Sequence, residues 1–464
     1  MLNWEITKKV FAKQSTIDFK GSMLKPYSKG YWLIQPLLIS IPYRFYYSKF
    51  QVNGWENVPI DKPVIFAINH RNAFMDSLAF VNTESTQVWQ IARGDAFSKP
   101  MFAKIFYFFH MLPVWREHDG VDTKAMNQPT FDACTDLLAA NTMLGIYPEG
   151  NCINEIHIRP LKKGICRIAF KAEERHNFEL DVHIIPVGID YTGAESFKKW
   201  QFVNFGKPIL LKKYNEQYKA NPALAINHLK DEIETGMKAV STHVEHGPLH
   251  HEIIEMAEFY ARNQVISAGE RYEPLSRFNA LKSITPMLEK LNIENQAQMK
   301  SLTHDFKSYK QNIAASHFRE NTFDKVRQSP FALIFMALYF LILFPIFLFG
   351  LIVNFVPYRI PQMYVERKLK RSIFWSSGKY VIGLIVFPIF YLIFMLIVYA
   401  ILGSLLSAFI FLISFPIAGN IAYFYYYDFK KWWSVLRFKT MDTSKRLNLE
   451  IQREALLNAI KSIS

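Results

Sequence analysis

From about residue 50 to residue 210, short apolar runs alternate with amphipathic stretches. The runs at 63–68, 87–92, 111–115, 143–147, 183–189 and 200–205 read as strands. The stretches 73–83, 98–109, 123–140, 163–176 and, beyond the sheet, 221–243 read as helices. This alternation predicts an α/β domain with a largely parallel sheet flanked by helices. Ligands of such sheets bind at the carboxyl ends of the strands. Residues 246–330 are charged, with periodic apolar positions such as Ile253, Ile254, Met256, Ala257 and Tyr260. They predict a helical linker or cover.

The pattern then changes. Phe331 to Phe355 is apolar throughout, long enough to cross roughly 30 Å of hydrocarbon. Tyr380 to Tyr427 is a second apolar block with Gly403-Ser404 near its middle, and it reads as a helical hairpin. Lys325 and Arg327 precede the first block, Arg359 to Arg371 separate the two, and Lys430 to Lys439 follow. Basic flanks mark the cytoplasmic side, and three simple spans cannot keep all three flanks there. Pro345 and Gly350 therefore suggest that 331–355 is re-entrant, with a full span as the alternative, while 380–427 crosses twice. Near the start, Tyr31 to Phe50 is apolar and aromatic but broken by Pro36, Pro42, Arg44 and Lys49. It predicts an interfacial segment or a surface helix over the core. The expected organisation is 1–50 interfacial, 51–245 catalytic, 246–330 helical, 331–428 membrane and 429–464 a basic tail.

Composition sharpens this picture. Half of the 464 residues are hydrophobic, and the formal net charge is +14. Beside long apolar segments, a basic balance points to an anionic lipid bilayer rather than nucleic acid. Cys134, Cys152 and Cys166 are too few and too unevenly spaced for a disulfide framework or a zinc site. They are expected to be reduced, facing the cytosol. Met1 to Glu5 lacks a basic-then-apolar pattern, so export is not expected.

The chemistry starts where the run Val64 to Ile68 stops at Asn69-His70. Asn72 is placed to cap a helix beginning near Ala73. His70 in the turn and Asp76 in the first helical turn can then meet. A carboxylate that fixes the tautomer of an imidazole makes it a general base for a hydroxyl.

Further stretches line up behind this pair: Ile91 to Phe97, Leu112 to Arg116, Ile146-Tyr147-Pro148-Glu149-Gly150, Arg159 to Gly164, and Ile184 to Ile189. In order and spacing, the set resembles the glycerolipid acyltransferase family, the glycerol-3-phosphate and 1-acylglycerol-3-phosphate acyltransferases, over about residues 35 to 215. The resemblance implies acyl transfer from acyl-CoA or acyl carrier protein to a glycerol hydroxyl in phospholipid biosynthesis, with no cofactor and no metal. It makes His70 the general base and Asp76 its orienting partner. Glu149 and Gly150 then bind the acceptor, and Pro186-Val187 falls in the block assigned to acyl or CoA binding. Backbone amides near the His70 turn or Gly150 are candidates for holding the oxyanion.

Two departures matter. Five residues separate His70 from Asp76, where most members have four; this spacing is similar to the fungal-type glycerol-3-phosphate/dihydroxyacetone-phosphate branch. Asn151-Cys152-Ile153 also stands where many members have Thr-Arg-Ser, whose arginine contacts the acceptor phosphate. Arg93, Arg116, Lys162, Lys163 or Arg167 could take that role, with Arg116 and Arg93 favoured. The missing arginine leaves a lyso-aminolipid acceptor as the alternative, and a non-catalytic lipid-binding protein as the rival from another class. The aromatic run Pro100 to Phe109 is either an acyl-chain tunnel or membrane-dipping face, or plain core packing.

Overall fold

The computed structural model describes residues 29–83, 88–325 and 329–463. Residues 1–28 of the expected interfacial segment, and Arg327, lie outside the described residues. The chain divides into two compact units: Met1–His243 with Arg371–Ser377, and Val244–Lys370 with Gly378–Ser464.

The first unit is built on a sheet of eight strands among the described residues: β1 Lys49–Asn53, β2 Val64–Ile68, β3 Val88–Arg93, β4 Met111–Val114, β5 Met143–Ile146, β6 His183–Tyr191, β7 Trp200–Phe205 and β8 Ile209–Leu210. Their order is β1-β7-β6-β2-β5-β3-β4, with β8 also paired to β6. The expected strands all form, within two residues of their expected limits. Two details differ. β1, whose first two residues end the segment expected to be interfacial, pairs parallel with β7. β7 and β8 run antiparallel to β6, so the sheet is mixed at that side.

Every residue of β2 and β6 is buried, as a sheet covered by helices on both faces requires. Pro186 sits in β6 despite lacking an N–H. It falls between the part of β6 paired to β8, at His183 and Ile184, and the part paired to β7 from Val187 on. The covering helices are α1 Lys29–Gln35, α2 Ile41–Tyr46, α3 Phe74–Val81, α4 Pro100–Phe108, α5 Thr123–Ala139, α6 Gly164–Arg175, α7 Asn215–Ala220 and α8 Pro222–Val240.

Between α1 and α2, Pro36–Ser40 forms a π-helical stretch. This segment buries Ile39, Tyr43 and Tyr46 and leaves Leu37, Leu38, Ile41 and Phe45 exposed. α4 likewise turns Tyr107 and Phe108 toward the core and leaves Met101, Phe102 and Ile105 exposed. Each carries a covered face and an open apolar face.

Gly188 of β6 is where the sheet meets the end of α8. A Cβ there would stand 2.2 Å from the Val240 carbonyl oxygen, and backbone on both sides leaves no room to yield. Gly188→Ala should therefore cost about 1–3 kcal/mol, as overpacking does, read as a lowered thermal unfolding midpoint.

The second unit holds α9 His250–Ser267, α10 Pro274–Glu294, α11 Gln296–Ala315, α12 Pro330–Lys368, most of α13 Trp375–Leu402, α14 Leu405–Lys439 and α15 Thr443–Lys461. Among the described residues, three helices are long and apolar enough to cross a membrane: Pro330–Lys368, Ser372–Leu402 and Leu405–Lys439. The expected re-entrant break does not occur, because α12 runs unbroken through Pro345 and Gly350. Gly350 is a packing glycine: a Cβ there would lie 2.2 Å from the Ala418 carbonyl oxygen of α14. Close backbone approach of this kind is the use of small residues between membrane helices. Asn354 ties the three helices together. Its Nδ2 donates to the Gly350 and Phe415 carbonyls, at 2.9 and 3.0 Å, and its Oδ1 accepts from the Tyr391 hydroxyl at 2.6 Å. The hairpin turns at Gly403, in the left-handed region at φ +63°, and Ser404 caps α14.

Candidate active site

His70 lies just past the carboxyl end of β2. Asn69 fixes that end: its side chain exchanges two hydrogen bonds with the backbone of Ile189, at 2.7 and 3.2 Å. Its own N–H donates to the Val187 carbonyl. Pro186-Val187 is thus buried inside β6, where it holds the end of β2 in place.

The turn into α3 is made around one carboxylate. Asp76 is fully buried, and its Oδ2 accepts from His70 Nδ1 at 2.8 Å, Arg71 N at 2.9 Å and Asn72 N at 2.8 Å. Its Oδ1 accepts from the Tyr191 hydroxyl at 2.5 Å. Gln201 Nε2 donates to that hydroxyl at 2.8 Å, and Tyr43 donates in turn to Gln201 Oε1. Hydrogen bonds to a carboxylate are the stronger kind, and burial strengthens every one of them. The expected cap differs. Ala73, at φ 43°, occupies the N-cap position without a side-chain bond. Asn72 instead donates its side-chain amide to the Ala194 carbonyl at 2.7 Å.

With Nδ1 donating to Asp76, Nε2 of His70 carries the lone pair. The ring lies 4.3 Å, centroid to centroid, from that of Tyr147, whose hydroxyl donates to Gln90 Oε1 at 2.9 Å. Burial pushes the Tyr147 phenol well up, so it stays protonated as a fixed wall. Glu149, also buried, accepts from His70 N through Oε1 at 2.9 Å and from Arg159 Nε through Oε2 at 2.7 Å. Gly150 follows in the left-handed region at φ +74°, and the stem of Lys162 packs against it.

The structure brings His70, Asp76, Glu149, Gly150 and the stem of Lys162 together. Lys163 is exposed at the start of α6. Arg93 and Arg116, the favoured phosphate ligands, are each engaged locally, by Asp95 and by Asp119. Asp95 also raises the Arg93 pKa, the hydrogen bond being the main cause. The amides expected near the oxyanion are taken as well. Those of His70, Arg71 and Asn72 donate to carboxylates, that of Ala73 to Cys152 Sγ, and that of Gly150 to the Tyr147 carbonyl.

Several residues at the site carried no role in the sequence reading. Arg159 stood inside a quoted stretch, and its NH2 donates to the Asn151 carbonyl at 2.5 Å. Buried Arg71 pairs with Asp190 at 3.1 Å, which also accepts from Thr242 N and Oγ1. Arg371 donates to the Cys152 carbonyl at 3.3 Å. Cys152, His70 and Asp76 have ligating atoms within 4.8 Å of one another. Hydrogen bonds already use His70 Nδ1 and both Asp76 oxygens, and burial pushes the Cys152 thiol up to about 12.

Residues 49–190 match the family model described as Acyltransferase. Glycerol-3-phosphate O-acyltransferase 1 of Saccharomyces cerevisiae is 32% identical over 107 residues, 22% of this chain and 14% of the yeast chain. Glycerol-3-phosphate O-acyltransferase 2 of the same yeast is 27% identical over 154 residues, 33% of this chain and 19% of that one. The matches thus span less than a fifth of either relative. Among solved structures, the 1-acyl-sn-glycerophosphate acyltransferase PlsC from Thermotoga maritima aligns with a TM-score of 0.32 and 16% identity, over 51% of this chain and 95% of that one. Over residues 49–190, then, the chain is similar to the Acyltransferase family and to part of two yeast glycerol-3-phosphate O-acyltransferases.

Proposed function

We propose that this chain is a membrane-bound O-acyltransferase. It moves a fatty acyl group from an acyl thioester, acyl-CoA or acyl carrier protein, to a hydroxyl of glycerol-3-phosphate or 1-acylglycerol-3-phosphate. The observation that carries the reading is His70, with Nδ1 committed to buried Asp76 and Nε2 left as the base. In the reaction, Nε2 takes the hydroxyl proton as the alcohol oxygen attacks the thioester carbonyl. The tetrahedral intermediate then expels the thiolate, which leaves as thiol with the proton returned from the imidazolium. Asp76 stabilises the imidazolium between the two steps, and Glu149 with Arg159 shapes the acceptor side. No group beyond the two substrates is called for.

Three long apolar helices and the open apolar faces of the α1–α2 segment and α4 support a bilayer as partner. The basic residues that flank those helices favour a catalytic domain on the cytoplasmic side.

The test is an acyl-transfer assay of the full chain in lipid vesicles. Glycerol-3-phosphate, lysophosphatidate and a lyso-aminolipid are offered with acyl-CoA and with acyl carrier protein. Transfer to a phosphorylated glycerol acceptor is expected; transfer confined to the aminolipid, or none at all, would sink this assignment.

A further inference from the structure

Three guanidinium groups stand around the turn that follows Glu149. Arg71 is neutralised by Asp190, and Arg159 by Glu149 itself. Arg371 is different. It lies on the loop between α12 and α13, within the first unit. Its contacts are a neutral carbonyl, that of Cys152 at 3.3 Å, and the Phe374 ring at 5.6 Å. Among the described residues no carboxylate pairs with it, and its side chain is exposed.

Its position is nevertheless fixed. Ser376 and Ile373 on the same loop are buried. Ser376 Oγ donates at 2.5 Å to the Ala194 carbonyl, the carbonyl that also holds Asn72 of the catalytic turn. The residue that anchors the guanidinium is one whose Sγ stands beside His70 and Asp76, and the next amide along, Ile153 N, donates to the His70 carbonyl at 3.2 Å. An uncompensated cation is thus held on the turn whose next amide bonds the His70 carbonyl, where Asn151 and Cys152 bring no charge of their own. Most of its planar donors are unused, and that geometry suits a phosphate.

We propose that Arg371 binds the phosphate of the acyl acceptor and thereby selects phosphorylated over unphosphorylated glycerol acceptors. The proposal rests on the acyltransferase reading above. Both substrates of that reaction can carry phosphate, and distance separates them. In the acceptor, a few carbons lie between the reacting hydroxyl and the phosphate. In the CoA donor, the whole pantetheine arm lies between the thioester and its phosphates. A cation anchored beside the base fits the shorter span.

The experiment compares the full chain with Arg371→Ala, Arg371→Lys and Lys370→Ala in vesicles. Glycerol-3-phosphate is set against glycerol, and lysophosphatidate against monoacylglycerol. For Arg371→Ala, KM for the phosphorylated acceptor should rise about tenfold or more while kcat changes less, the loss expected for one charge-assisted contact. The preference for phosphorylated over unphosphorylated acceptor should fall by the same factor. Arg371→Lys should recover part of it, Lys370→Ala should match the unaltered chain, and unchanged thermal unfolding midpoints would exclude misfolding. A rise in the donor's KM instead, an equal loss on both kinds of acceptor, or no change would overturn the assignment of Arg371. Absence of transfer by the unaltered chain would overturn the acyltransferase reading and this assignment together.

Discussion

His70→Ala should lower kcat by about 10²–10⁴-fold, the contribution of a positioned general base, with little change in the KM of either substrate. The imidazole touches the protein mainly through Asp76 and the Tyr147 ring, so truncation removes the base without removing a strut of the fold. What remains after truncation is the alignment of two bound substrates, which can still hold the reaction above its rate in water. Initial-rate assays at saturating acceptor and donor read the effect directly. A variant that retains full rate would mean that His70 is not the base of this reaction. In that case the chain's cellular role would survive the substitution.

Asp76→Asn carries the second large effect, and it acts on both chemistry and stability. The carboxylate accepts on two sides, three donors at Oδ2 and the Tyr191 hydroxyl at Oδ1. An amide of the same shape has one oxygen and must turn its NH2 toward one of those sides. With the oxygen kept toward His70, the imidazole still finds an acceptor but loses the negative charge that steadies it once protonated. A kcat loss of about 10²-fold or more is expected. Disturbing a buried, fully satisfied network adds about 1–3 kcal/mol of destabilisation, seen as an earlier thermal transition. Tyr191→Phe separates the two effects, because it removes only the Oδ1 donor. It should lower stability while leaving most of the rate. A rate loss as large as that of Asp76→Asn would mean that the charge on Asp76 is not what matters.

The strands that place His70 were legible because burial on both faces writes itself as an unbroken apolar run, as in Val64 to Ile68. β1 was not, because Lys49 to Asn53 alternates and follows an aromatic, proline-broken stretch that reads as membrane-facing. The antiparallel return of β7 has no local signature, since direction is set by the path of the chain outside the strands. Asn72 has every local qualification of a helix cap. It lost the position because the Ala194 carbonyl claims its amide and Asp76 claims its N–H, an instance of tertiary contacts overriding propensity. Pro345 and Gly350 read as breaks because sequence cannot show that a neighbouring helix needs the space above Gly350. For the arginines the signal was present: Arg93-Gly94-Asp95 and Arg116 to Asp119 each set an acid within reach of the cation. Arg371, 219 positions beyond the carbonyl that holds it, could be found only in three dimensions.

The hydroxyl of Tyr43 is the far end of a wire that runs through Gln201 and Tyr191 to the catalytic carboxylate. Tyr43 belongs to the short helix whose outer side shows Ile41 and Phe45, so one strip of chain carries both an open apolar face and the last link of the hydrogen-bond chain to Asp76. A version trimmed before Lys49 to make it easier to handle in water should therefore unfold at a lower temperature, in the same direction as Tyr191→Phe.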